Sequence, residues 1–343
     1  MNTTVLIPAH NEEAGIVQAM ESIDAQSMRP TRKVVLADNC TDATVSLARS
    51  REGWECWESV NNTHKKAGAL NQAAQRLIDE DGYVFVMDAD SHIAPDFLLH
   101  AHRAMEVASV GAVGGIFYGD PGGGVLGHLQ RNEYARYGRD IERKRGKAMV
   151  LTGTASMFRL SVWRKIAQSR GDSLPGQPGQ VYDTLALTED NEITIAVKTL
   201  GFQCVSPTEC TVQTEVMESL GDLWRQRMRW QRGAIENLSH YGWSKVTLPY
   251  MFQQGVMVIG IIAMALYLAT VVMSLDQEWV WHPFWLAVGG VFVIERIVTV
   301  KRRGIRAMAV SAVLVVEWAY DLFLQAVLLR SIFDVVTRRT AEW

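Results

Sequence analysis

The chain has 343 residues, 48% of them hydrophobic and 21% charged, with a formal net charge of −3. That length allows one large domain or two smaller ones, and the charge balance gives no footing for nucleic-acid binding. The four cysteines, Cys40, Cys56, Cys204 and Cys210, stand without a CxxC pair. This argues against a disulfide framework or zinc site and for a reducing, cytosolic setting.

No signal peptide is expected, because Thr3-Thr4 leads straight into Val5-Leu6-Ile7-Pro8 without a basic leader. The run Val5 to Ile7 reads as a strand stopping at Pro8, and Glu12 to Ala25 as a helix whose apolar face is Ile16, Ala19, Met20 and Ile23. Lys33 to Ala37 reads as a second buried strand ending at Asp38. Thr41 or Asp42 is then placed to cap a helix through Val45, Leu47 and Ala48. A further helix spans about Ala67 to Ile78, and Tyr83 to Met87 is a strand that delivers Asp88 and Asp90 at its carboxyl end. Alternating strands and helices with polar residues at the strand ends predict an α/β fold with a parallel sheet and a crevice there.

Each strand end has a plain structural alternative, since Asn11, Asp38, Asn39 and Thr41 are all turn and cap residues. Asp88 and Asp90 say more. Two carboxylates at i and i+2 after an apolar strand can reach one hard cation, which can bridge diphosphate oxygens. Lys66 sits at a helix start, where a cation and free backbone N–H groups can meet phosphate.

Further along, Arg131 to Lys147 is a basic stretch that reads as a solvated helix face or an anionic-headgroup contact. Gly171 to Gln180, rich in Gly and Pro, reads as a mobile loop. In Gln226-Arg227-Met228-Arg229-Trp230 the spacings i, i+3 and i, i+4 put Gln226, Arg229 and Trp230 on one helix face. The guanidinium suits diphosphate and the indole a sugar ring. The same segment also reads as an amphipathic interfacial helix, with Arg225, Arg227 and Arg232 on its polar side.

Three apolar runs close the chain, Pro249 to Leu275, Trp279 to Val300 and Met308 to Phe333. Each exceeds the ~20 residues needed to cross a bilayer core. The basic loop from Lys301 to Arg306 is expected on the cytosolic side. A third full span would export Arg338 and Arg339, so the last run is expected to span, to bend back or to lie in the interface. Glu317 and Asp321 should face other helices, with Arg296 or Arg330 as partners.

Val5 to Glu13, Ala37 to Asp42, Lys66 to Asn71, Asp88 to Asp90, Thr152-Gly153-Thr154, Thr188-Glu189-Asp190 and Gln226 to Trp230 follow one another in an order that resembles family 2 glycosyltransferases of the GT-A type. The likeness is to the membrane-bound branch that includes cellulose, hyaluronan and poly-N-acetylglucosamine synthases. It implies a Rossmann-like, mainly parallel GT-A catalytic domain over 1–212 and an interfacial helix region over 213–245. An all-α transmembrane region of two to three helices over 249–333 and a tail over 334–343 would follow. Pro8, Ala9, Glu12 and Asp38 would line the nucleobase and ribose pocket, and Lys66 would approach the diphosphate. Asp90 would bind Mg²⁺ or Mn²⁺, with Asp88 on the metal, ribose or donor sugar. Asp190 would be the general base of an inverting displacement, Glu189 its neighbour holding geometry, Thr152 to Thr154 the acceptor loop, and Gln226, Arg229 and Trp230 the closing wall. Where many relatives have Asp-Asp-Gly-Ser this chain has Ala37-Asp38-Asn39-Cys40, so only Asp38 carries over, as a uracil contact.

The expected partners are a UDP-sugar donor, a glycan or lipid-linked acceptor, the lipid bilayer and further copies of the chain through the membrane helices. The expected location is the plasma or inner membrane with the catalytic domain in the cytosol. Unlike in the processive synthases, no span is expected before the catalytic domain and only two or three after it, so one subunit is not expected to enclose a polymer channel. Two alternatives are a non-processive transferase glycosylating a polyprenyl phosphate or diacylglycerol, and a catalytically silent binding protein.

Overall fold

The computed structural model describes residues 2–275 and 283–339. Its first half alternates β1 (Thr3–Ala9), α1 (Ile16–Asp24), β2 (Arg32–Ala37), α2 (Thr44–Ser50), β3 (Glu55–Glu58), α3 (Lys65–Leu77) and β4 (Tyr83–Met87). There follow β5 (Ser91–Ile93), α4 (Phe97–Met105), β6 (Val110–Gly114), β7 (Ile116–Gly119), α5 (Gly124–Arg143), β8 (Ala155–Arg159) and α6 (Leu160–Ser169). Next come α7 (Glu189–Thr199), β9 (Gln203–Val205), β10 (Thr211–Thr214) and α8 (Leu220–Tyr241). The remaining helices are α9 (Leu248–Met273), α10 (Pro283–Thr299), α11 (Ile305–Ala312) and α12 (Leu314–Val336).

Seven strands form one sheet in the order β3-β2-β1-β4-β8-β6-β9, in which β8 alone runs against its neighbours. Alternate side chains of each strand feed opposite faces. Val5, Ile7, Phe85 and Met87 pack with α1 and α4, while Leu6, Val34, Val84 and Val86 pack with α3, α6 and α7. Ile16, Ala19, Met20 and Ile23 of α1 are all 0–1% exposed. Burying each of the three large ones is worth about 1.5–3 kcal/mol. The strand order reverses between β1 and β4, and the residues after these strands border the crevice that such a switch point opens. A small second sheet, β5-β10-β7, caps this end.

Several elements differ from expectation. β1 runs through Pro8 to Ala9, because pairing with β4 ends at Leu6 and the missing proline N–H costs no ladder bond on that side. α1 begins at Ile16 because the preceding turn is tied outward. The Glu12 N–H goes to Thr44 Oγ1 and that of Glu13 to Asp42 Oδ2. Asp42 also accepts the Thr44 N–H, but the N-cap of α2 is Ala43 rather than the expected Thr41 or Asp42, so Asp42 acts from one residue before the cap. β10 straddles the expected boundary at residue 212 and pairs with both β5 and β7.

The Gly171 to Gln180 segment is anchored rather than loose. Arg170, 2% exposed, donates to the Pro175 and Val181 carbonyls at 2.8 and 2.6 Å and forms a fully buried pair with Glu192. Asn71 Oδ1 accepts the Val181 and Tyr182 N–H groups.

The basic stretch lies largely on α5; its middle is taken up by internal pairs, whereas Arg143, Lys144, Arg145 and Lys147 at its end are exposed. Arg136 pairs with Glu317 at 2.9 Å, Asn132 Nδ2 donates to Ser311, and Arg302 holds Glu142. Arg296 bridges Glu317 and Asp321 as anticipated, whereas Arg330 pairs with Asp334 instead. Among the described residues one helix, α9, is long and apolar enough to cross a membrane. α11 and α12 pass the same test only as a pair, and they meet at a 78° bend. α12 lies along α8. The expected run from Trp279 is described only from Pro283, as α10.

Candidate active site

Residues that the sequence placed at strand and helix ends converge at one point. Lys66, on the first turn of α3, sends its Nζ to Asp88 Oδ1 at 2.6 Å and to Glu189 Oε1 at 2.7 Å. It therefore joins the end of β4 to the start of α7. Burial acts to raise the Glu189 carboxyl, but Lys66 overrides it and holds the group below its ordinary range.

Asp190 stands beside this bridge and, among the described residues, forms no ion pair. Its Oδ2 accepts the Gly153 N–H at 2.9 Å and its Oδ1 the Asn191 N–H at 2.8 Å. A Cβ at Gly153 would come within 3.1 Å of that carboxylate, so glycine lets the loop approach. Burial, and then the charge of Glu189, push Asp190 up to about 6. Asp88 rises to about 6 too, through burial and the charge of Asp90 working against Lys66. Asp90 accepts from the Ser91 hydroxyl at 2.9 Å, and burial and Glu215 raise it. Glu12 is pushed up to about 7 by burial and by Asp90, Glu215 and Asp88. Four carboxylates, Glu12, Asp88, Asp90 and Glu215, thus crowd one corner, and in it only Asp88 has a cationic partner among the described residues.

Asp38 is 6% exposed, and its Oδ1 accepts from Ser59, Asn62 and Asn39 at 2.5, 2.8 and 3.1 Å. Pro8 and Ala9 end β1 alongside, with the Ala9 carbonyl taking the Asp38 N–H.

The Gln226 to Trp230 helix is held over α7 by residues beyond the motif. A Cβ at Gly233 would sit 2.4 Å from Thr188 Oγ1, and Asn237 Nδ2 donates to the Thr188 carbonyl and to Asn191 Oδ1. Gln226, Arg229 or Trp230, Gly233 and Asn237 follow at helical spacing on one stripe. Arg229 is exposed and close enough to lower Glu189, and Trp230 stacks on Arg227 at 4.2 Å. The polar side expected for an interfacial helix is overturned for two of its arginines. Arg227 and Arg232 are only 5% and 7% exposed, because Glu133 and Glu236 meet them inside. We expect Gly233→Val to cost about 1–3 kcal/mol through overpacking. Thermal unfolding of the full chain reads this, and an unchanged midpoint would show that α8 is free to move away from Thr188.

Glu215, Ser59, Asn62, Gly233 and Asn237 were not foreseen. The i, i+4, i+7, i+11 stripe was the one available signal, and it points to the last two.

Residues 4–167 match the family model described as glycosyl transferase family 2. The chain carries a family 2 glycosyltransferase domain. The chain is 24% identical over 77% of its length to poly-beta-1,6-N-acetyl-D-glucosamine synthase of Staphylococcus aureus, and spans 64% of that protein. To the Staphylococcus epidermidis synthase it is 22% identical over 81% of its length, spanning 68% of the relative. A solved mannosyltransferase from Pyrobaculum calidifontis, in complex with GDP-mannose and Mn²⁺, superposes with a TM-score of 0.65 at 17% identity. That match covers 99% of this chain and 88% of the other, and it establishes the shared GT-A fold.

Proposed function

We propose that this glycosyltransferase is membrane-bound and inverting, moving a sugar from a UDP-sugar to an acceptor hydroxyl in a single displacement with Asp190 as general base. The observation that carries the reading is the placement of Asp190, a carboxylate without an ion pair among the described residues, beside a lysine that already bridges Asp88 and Glu189. Asp190 takes the acceptor proton as the oxygen attacks the anomeric carbon. Two N–H groups hold its carboxylate in place, and Glu189 is engaged by Lys66. Asp38, with Pro8, Ala9 and Glu12, takes the nucleoside. Thr152 to Thr154 and Trp230 border the acceptor, and Gln226 and Arg229 lie towards the diphosphate.

The acidic corner fits a divalent cation. Among the described residues no three His, Cys, Asp or Glu side chains form a closed ligand set. Mg²⁺ and Mn²⁺ suit such a corner, since ions of this kind take one or two carboxylates and complete their shell with phosphate oxygens and water. Asp90, lacking a cationic partner, would hold the ion, with Asp88 beside it. When bound, the ion neutralises charge on the departing nucleoside diphosphate. Asp90→Ala is expected to weaken UDP binding titrated with Mn²⁺ by tenfold or more, on the order of the losses seen when a metal site is damaged. Equal titrations for the two proteins would remove Asp90 as a ligand.

The staphylococcal relatives make UDP-N-acetylglucosamine the first donor to try, followed by UDP-glucose and, from the mannosyltransferase, GDP-mannose. UDP release with product masses read afterwards tests the reading, and no release from any donor with metal present would defeat it. A lipid-linked acceptor is a second reading, favoured by Tyr250 at the start of α9, whose hydroxyl accepts from Asn191 at 3.0 Å. The first apolar helix thus touches the residue next to Asp190. Radiolabel partitioning into organic solvent rather than into polymer would select it.

A further inference from the structure

Between the end of α5, the outer face of α7 and the start of α9 lies a crevice of ≈ 360 Å³ that the transfer chemistry leaves unused. Its wall is partly apolar, with Met149 and Pro249, and Lys144, Lys147 and Lys198 line it. Lys198 Nζ donates to the Ala148 and Met149 carbonyls at 2.7 and 2.6 Å, which ties one cation to the wall with an N–H to spare. Lys144 holds Asp140 at 2.6 Å. Lys147 is exposed and has no acidic partner among the described residues. Three ammonium groups therefore face one carboxylate.

The crevice lies where α9 leaves the catalytic domain. That helix has 26 residues and no buried side chain, so its apolar surface continues the crevice wall outward. At 1.5 Å per residue it runs about 39 Å, more than a hydrocarbon core. A bilayer holding α9 would present its headgroups level with the lysines and its acyl chains along the helix.

We propose that this crevice binds the phosphate-bearing headgroup of an anionic bilayer lipid, a site that rests on the membrane-bound reading given above. The lysines match phosphate charge, whereas a zwitterionic lipid adds an ammonium that they repel. Each lysine near an anionic surface contributes about fivefold in binding.

The test reconstitutes the purified full chain in vesicles of equimolar phosphatidylglycerol and phosphatidylcholine, extracts it mildly and measures the lipid retained. The expected result is enrichment of phosphatidylglycerol, reduced about fivefold or more in Lys147→Glu. Arg29→Ala, an exposed arginine away from the crevice, should leave the enrichment unchanged. Excess inorganic phosphate should not displace the lipid. Equal enrichment in Lys147→Glu, or none in the unmodified chain, overturns the headgroup site, and displacement by phosphate reassigns it to small anions. A chain that alkaline carbonate strips from the vesicles overturns the membrane-bound reading as well, while one retained without lipid preference overturns the headgroup site alone.

Discussion

Asp190→Asn is expected to lower the turnover number by about a thousandfold while leaving UDP-sugar affinity within about twofold, since a positioned general base contributes 10²–10⁴. The substitution keeps the side-chain volume. It leaves the Lys66 bridge to Asp88 and Glu189 intact, so the donor side of the crevice is undisturbed. One of the two N–H groups on Asp190 loses its acceptor, a local cost of about 1 kcal/mol that a thermal midpoint measures separately. Retained turnover would remove Asp190 as the base. The pH profile adds a sign. Burial and Glu189 push the Asp190 carboxyl from its ordinary 3.8 to about 6, so the reactive, deprotonated form is lost as pH falls below about 6. The unmodified enzyme should show that acid limb, and the residual activity of Asp190→Asn should not. A limb that persists belongs to Asp88 or Glu12.

Arg170→Ala is expected to destabilise the chain by about 3–5 kcal/mol, the usual result of removing one partner from a buried ion pair. The Arg170 and Glu192 side chains are 0% and 1% exposed, so Glu192 would be left charged in the interior with the Tyr241 hydroxyl as its remaining partner. The Pro175 and Val181 carbonyls would lose their donors, freeing the loop between them. Denaturant unfolding measures the loss, and limited proteolysis should find new cleavage between residues 171 and 180. Arg170→Met combined with Glu192→Leu should recover much of the stability, because no unpaired charge remains. A shift below 1 kcal/mol in Arg170→Ala would show that Glu192 finds water or another partner.

These cases mark what was legible in the sequence. β1, β2 and β4 were readable because strands buried on both faces are short unbroken apolar runs, and the face of α1 because Ile16, Ala19, Met20 and Ile23 keep helical spacing. Asp88 at the end of β4 and Lys66 at the start of the helix after β3 come together because parallel strands end at one edge, whereas Gly153 reaches that edge by preceding β8, which runs the other way, and Asp190 by opening α7. What escaped depended on distant partners. Arg227 looked like a surface residue because nothing nearby reveals that Glu133 and Tyr320 enclose it. The second sheet is built from strands of three and four residues, too short to show a period. Ser59 and Asn62 reach Asp38 from a loop with no pattern of its own.

The seam along α5 has a practical reach. Glu133 takes both Arg227 of α8 and the Tyr320 hydroxyl of α12, while Asn132 and Arg136 are claimed by Ser311 and Glu317. α12 therefore works as a stay for the helix that carries Arg229 and Trp230. Cutting the chain after α8 would slacken it, leaving a fragment with its chemical groups present but the wall above them unbraced.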